Sequence, residues 1–321
     1  MSLFLYAITP SYSAAGLVAY ALDHHCDNTI AWFKDKGTEG FEGYYDKAVI
    51  GCPEELTSDV LEADQWIFCG SKAYVYFFSK YKKALKESRG RKVKVILTDS
   101  HFCRDYIKLG NIFAKREVIV FAMPDIFPYC VGLNPIPYYP PADVSLDNIE
   151  ENKKDGIVVI CHSPFRKVVS NAKGTAEIKE IIGELRKIFS FVRGRILTDC
   201  ERKETLRIKA QSHIFIDQLV DGNPNIPMLW GAKKYNGALG KSGCEAMFLN
   251  SFVLTGAPEP CLNGEFFPTP PICWVNYVNC KDKLRYYIED IDERNKGIVR
   301  QMEWANKYLS FQFVGNHIYK G

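Results

Sequence analysis

The sequence predicts an α/β protein made of two Rossmann-like, doubly wound domains. Short β-branched or aromatic runs alternate with polar, helix-compatible stretches, the pattern of parallel strands joined by crossover helices. The alternation is interrupted at 133–156 by LNPIPYYPPADVSLDNIEENKKDG, which is proline-rich and then charged, and starts again after it. Prolines resist both helix and central strand, so this segment is the linker candidate. A length of 321 residues suits two domains of ordinary size.

The elements follow in order. MSLFLYAIT is a short apolar, strand-like run ending in the small-residue loop PSYSAAG, which contains Gly16, and LVAYALDHHC reads as a helix. NTIAWF, KAVIG, QWIFCG, KVKVILTD and EVIVFAM read as further strands. After the linker, GIVVICHSP is a strand, and GTAEIKEIIGELRKIFS is a helix with apolar residues at Ile178, Ile181, Ile182, Leu185 and Ile188. FVRGRILTD and HIFIDQ are strands around the helix ERKETLRIKAQS, and CEAMFLN is a short helix before the strand SFVLTG. EFFPTPPICW is a loop leading to a buried edge, and 282–307 is helical. The expected domains are 1–143 and 144–299, facing each other across a cleft, with 300–321 packing back on the first.

Composition narrows the class. Hydrophobic residues at 47% and charged residues at 25% exclude a disordered tail, a fibrous repeat and a small disulfide scaffold. Lys plus Arg is 41 and Asp plus Glu is 38; the resulting +3 neither requires nor excludes a nucleic-acid partner. The N-terminus lacks the basic n-region of a signal peptide, and no apolar run is long enough for a transmembrane segment. Eleven cysteines without a C-x-x-C pair read as reduced thiols in a cytoplasmic protein, host cytoplasm if the chain is phage-encoded. The six histidines show no zinc-ligand spacing, and no metal is expected.

Three segments that follow strands in the second half carry chemistry, because ligands of open α/β sheets bind beyond the carboxyl ends of the strands. In 161–175, CHSPFRKVVSNAKGT, the cations Arg166, Lys167 and Lys173 precede a helix start at Gly174-Thr175. That is either an anion site or an ordinary solvated loop. In IFIDQL, Asp217-Gln218 places polar groups at the same sheet edge; the alternative is a cap or turn former. In GALGKSGCEAM, Gly237, Gly240 and Gly243 permit close backbone approach to a diphosphate, and Glu245 suits ribose hydroxyls. A P-loop would need glycine where Tyr235 stands.

In this order the residues His162-Ser163-Pro164 with Lys173-Gly174-Thr175, Ile216-Asp217-Gln218, and Gly243-Cys244-Glu245-Ala246-Met247 with Ser251-Phe252-Val253-Leu254 resemble the retaining GT-B glycosyltransferases of the group 1, family 4-like type. The resemblance covers about 155–260. It implies a nucleotide-sugar site in the C-terminal domain, taking a UDP- or GDP-sugar as substrate with no cofactor required. Arg166 or Lys167 and Lys173 would neutralise the diphosphate, Glu245 would hold the ribose, and the loop at Gly240–Gly243 would present amides. Gly237 stands where many members carry a first glutamate.

The N-terminal half is expected to supply the acceptor site. Gly16 lies where GT-B enzymes have a small-residue loop near the donor phosphates. KVKVILTDSH ends a strand at Thr98-Asp99, locally similar to the phage DNA glucosyltransferases. Asp99 is either the general base toward an acceptor hydroxyl or a helix cap, and His101 either assists or is a satisfied polar residue. The run 80–94, with Lys82, Lys83, Lys86, Arg89 and Arg91, is either a contact for nucleic acid or a peripheral membrane surface, or a solvated face. The acceptor is accordingly a cell-surface glycan or lipid-linked sugar, or a hydroxymethylated DNA base. A nucleotide-sugar epimerase and a non-catalytic GT-B-like binding protein are the alternatives in other classes.

Overall fold

The computed structural model describes residues 2–8, 22–23, 26, 28–35, 48–88, 90–97, 113, 117–122, 134–135, 153–165, 173–220, 239–256 and 268–321. The chain divides into two compact units, Met1–Ala142 with Leu309–Gly321, and Asp143–Tyr308. Residues 300–308, grouped at the sequence level with the returning C-terminus, belong to the second unit.

In the first unit the strands are β1 (Leu3–Ala7), β2 (Thr29–Phe33), β3 (Ala48–Ile50), β4 (Gln65–Cys69), β5 (Lys92–Leu97), β6 (Ile119–Ala122) and β7 (Asn134–Pro135). They form one parallel sheet of order β3-β2-β1-β4-β5-β6-β7. β7 falls within the proposed linker; its proline is tolerated because the strand is at the sheet edge. The helices described here are α1 (Ser58–Glu62), α2 (Ser71–Lys80) and α3 (Ala84–Glu87).

Strand alternation sorts the core onto two faces. Phe4, Tyr6, Trp32, Trp66 and Phe68 meet Tyr74, Phe77 and Phe78 of α2 in an aromatic cluster. Phe4 and Trp32 pack edge-to-face at 5.3 Å. The opposite face carries Leu3, Leu5, Phe33 and Ile67 and is covered by Val314 and Ile318 of the terminal helix, Phe311–Lys320. Lys94 is buried on β5 and donates to the Ile318 and Tyr319 carbonyls, 2.7 Å each, at that helix's C-terminal end. Burial there lowers its pKa to about 8. The basic run 80–94 is therefore not one helical face: it spans the end of α2, all of α3 and the start of β5.

The second unit contains β8 (Val158–Phe165), α4 (Thr175–Ile188), β9 (Val192–Thr198), α5 (Arg202–Ala210), β10 (Ile214–Leu219), α6 (Lys241–Phe248), β11 (Phe252–Gly256), β12 (Cys273–Trp274), α7 (Cys280–Glu289) and α8 (Ile291–Tyr308). The terminal helix of the first unit is then α9. The sheet is parallel, with order β12-β11-β10-β8-β9. Ile178, Ile182 and Leu185 of α4 are buried against it, whereas Ile188 in the last turn is 52% exposed. The helix expected at 282–307 is two helices, parted at Asp290, whose carboxylate accepts the Glu293 amide and caps α8. Among the described residues no helix is long and apolar enough to cross a membrane, and no disulfide is formed.

Candidate nucleotide-binding site of the second unit

The strand order of the second sheet reverses between β8 and β10: β8 connects through α4 to β9 on one side, and β10 leads to β11 on the other. Such a switch point opens a crevice at the strand carboxyl ends. Both strands leave regular register there, β8 between His162 and Phe165 and β10 between Ile216 and Leu219. Bulges of this kind re-aim side chains, and here they do so for His162-Ser163-Pro164 and Asp217-Gln218.

His162 is buried beneath this edge. Its Nδ1 lies 2.8 Å from the Ile216 carbonyl and its Nε2 2.9 Å from Thr175 Oγ1. A carbonyl only accepts, so Nδ1 carries the proton and Nε2 accepts from the Thr175 hydroxyl. Burial pushes its pKa down to about 4, consistent with the neutral ring this pattern requires. His162 thus ties the first residue of α4 to β8 and β10. Gly174 precedes it at φ 69°, and a Cβ there would collide with the Leu219 carbonyl. Only glycine brings the N-terminus of α4 this close to the end of β10.

Asp217 joins the other two segments. Its buried carboxylate accepts the Gly240 amide at 2.7 Å and lies 3.5 Å from Lys173 Nζ. A side chain at Gly240 would press on this carboxylate at 3.0 Å. The N-termini of α4 and α6 have no side-chain cap at Gly174 and Gly240. Helix N-termini favour anions, and Lys173 adds a cation that is only partly buried.

Glu245, on α6, is enclosed by cations. Arg202 Nη1 and Lys209 Nζ each lie 2.7 Å from its carboxylate, and Lys241 Nζ lies 3.8 Å away. Burial alone would raise its pKa, but Lys209, Lys241 and Arg202 hold it well below the usual carboxylate range. Lys209 and Arg202 were not legible as site residues. Lys209 lies between Leu206 and Ala210, which are both buried, and only that position in the apolar stripe of a charged helix hints that it is not solvated.

The structure therefore brings Lys173, Asp217, Gly240, Gly243 and Glu245 together at one sheet edge. Arg166, Lys167, Gly16, Asp99, His101 and Arg89 lie outside the described residues. Lys82, Lys83 and Lys86 are exposed on the first unit. Arg91 is not on that surface: its guanidinium donates to the Leu61, Ala63 and Glu87 carbonyls and lies over the Trp66 ring. Among the described residues no group of three or more His, Cys, Asp or Glu is placed to hold a metal ion.

No protein-family model and no curated protein matches the sequence. Solved structures do match over nearly the whole length. An alpha-glucosyltransferase in complex with UDP-glucose and DNA containing an abasic site aligns with TM-score 0.64 at 10% identity, covering 99% of this chain and 98% of that one. HepE of Anabaena, in complex with UDP and glucose, aligns with TM-score 0.61 at 11% identity over 99% and 98%. A glycosyltransferase of Rickettsia africae aligns with TM-score 0.58 at 11% identity over 99% and 96%. Two doubly wound parallel units and this full-length likeness show that the chain has the α/β GT-B fold.

Proposed function

We propose that the protein transfers a sugar from a nucleoside-diphosphate sugar to an acceptor hydroxyl. The observation that carries this reading is the switch-point edge of the second unit. There two uncapped helix N-termini, Lys173 and the cation-enclosed Glu245 gather at the carboxyl end of the sheet. Amides and Lys173 would hold the diphosphate, with Arg166 and Lys167 adding charge, and would stabilise the negative charge that develops as the diphosphate leaves. A single such donor is worth about 3 kcal/mol in comparable sites. Glu245, kept ionised, would accept ribose hydroxyls. Bound UDP-glucose in one structural neighbour and bound UDP with glucose in another favour a UDP-sugar.

For the acceptor, Asp99 is the proposed general base; it follows β5 by two residues. The exposed Lys82, Lys83 and Lys86, and the presence of DNA with the alpha-glucosyltransferase, favour an anionic polymer such as hydroxymethylated DNA over a neutral glycan. The test is product analysis with UDP-glucose and GDP-mannose, with and without acceptor. Release of UDP or GDP that depends on an acceptor supports transfer. Conversion of the donor sugar without acceptor supports epimerisation instead, and tight binding without turnover supports a non-catalytic protein.

A further inference from the structure

Lys209 is a fully buried lysine at the end of α5, on the helix face that carries Leu206 and Ala210. A buried ammonium is costly unless its hydrogen bonds are met, and all three of its N–H groups have acceptors. Nζ lies 2.7 Å from Glu245 Oε2, 2.7 Å from Ser242 Oγ and 3.3 Å from the Ser242 carbonyl. The ammonium also lies over the Phe215 ring at 5.1 Å. The Lys209 main chain is held as well, because Ser251 Oγ lies 2.8 Å from its carbonyl. Nothing of this side chain remains for a ligand. Its contacts point at the first turn of α6 and at the carboxylate that α6 carries.

Glu245 is held from two sides, Oε1 by Arg202 and Oε2 by Lys209. The two oxygens together have about four lone-pair sites, so two remain beyond these bonds; Lys241 Nζ faces Oε1 from 3.8 Å, outside hydrogen-bond reach. Two acceptor directions on one planar, fixed carboxylate match the two adjacent hydroxyls of a ribose. Such a match needs the carboxylate plane to be set, and a lone glutamate side chain has several rotamers from which to choose.

We propose that Lys209 is a positioning residue for nucleotide recognition: it fixes the Glu245 carboxylate in the orientation that reads the ribose diol, without itself touching the nucleotide. This rests on the donor reading above and extends it. It assigns the discrimination of ribose from deoxyribose to a residue behind the site.

The test is equilibrium titration of UDP, GDP and ADP, and of their 2′-deoxy counterparts, into the wild-type protein, Lys209→Met and Lys209→Arg. Wild type should prefer the ribose form by about tenfold or more, the value of a hydrogen bond to a charged group. Lys209→Met should bind both forms equally and weakly, and Lys209→Arg should recover part of the preference. The pH profile should change too. With the ammonium gone, burial of Glu245 is less opposed, so nucleotide affinity in Lys209→Met should fall more steeply on acidification than it does in wild type. Should Lys209→Met fail to fold, Lys209→Arg keeps the charge with a different geometry, and its ribose-to-deoxyribose ratio should fall below that of wild type; a wild-type ratio there overturns the proposal. A purely structural lysine would lower the melting temperature and leave the ribose-to-deoxyribose ratio intact. A folded Lys209→Met with the wild-type ratio therefore overturns the proposal, as does a wild type that binds nucleotides without any ribose preference. A folded wild type that binds no nucleotide contradicts the donor reading itself.

Discussion

Single residues at the carboxyl edge of the second sheet set its charge and its pH response. Substituting Asp217 with Ala removes the acceptor of the Gly240 amide and the carboxylate near Lys173. We expect about 1–3 kcal/mol of lost stability by urea titration, together with weaker donor binding. His162, and at the opposite, amino end of β10 His213, whose Nδ1 accepts the Val159 amide at 3.1 Å, both have pKa values near 4 in the fold, below the ordinary 6.5; burial is the first cause for each. A lowered folded pKa means that the unfolded chain takes up these protons first. Stability is therefore full above about pH 6.5 and falls as pH drops toward 4, by up to about 3 kcal/mol for His162. Denaturation midpoints measured from pH 7 to 4 should show this slope. His162→Gln should reduce it without abolishing it, because His213 remains. These residues differ in how visible they are in the sequence. Lys173 lies just before the start of α4, Asp217 near the end of β10 and Glu245 on the helix after a glycine-rich stretch, so position alone marks them. Lys209 and Arg202 come from a helix that reads as a solvated polar segment, and only the folded packing turns them inward.

At the scale of elements, two devices hold helices to sheets. Gly174 lets α4 begin against β10, and Gly174→Ala should cost more than the ~1–2 kcal/mol of the left-handed backbone, since its Cβ also meets the Leu219 carbonyl. Thermal denaturation measures the loss, and donor affinity should fall with it because the amides of α4 shift. In the first unit, Lys94 anchors the last carbonyls of α9. Lys94→Met should raise amide hydrogen exchange across 311–320 more than across β1 or β4. Continuous apolar or aromatic runs made nearly every strand legible, because strands buried on both faces need no period-two alternation. Less legible were β7, too short for any pattern and bearing a proline, and the break at Asp290. There the helical periodicity continues across a cap formed by one carboxylate. The basic run 80–94 misled for a related reason: composition marks charge but not the changes of element at Tyr81 and Lys92 that send Arg91 and Lys94 into the fold.

For the whole molecule, the interrupted strand–helix rhythm was enough to anticipate two doubly wound units, and the full-length likeness to glycosyltransferase structures agrees with it. Function cannot follow from the fold alone, which hosts several activities. It rests on whether the switch-point crevice of the second unit binds a nucleoside diphosphate. The most direct measurement is a thermal-shift titration of the intact protein with UDP, GDP, ADP and CMP, repeated on Glu245→Ala. At about a hundred times its dissociation constant, a ligand should stabilise the fold by ~2.7 kcal/mol. The account predicts a clear upward shift with one of the diphosphates, UDP first, and its loss or marked reduction in Glu245→Ala. No shift with any nucleotide, or an equal shift in the variant, would contradict it.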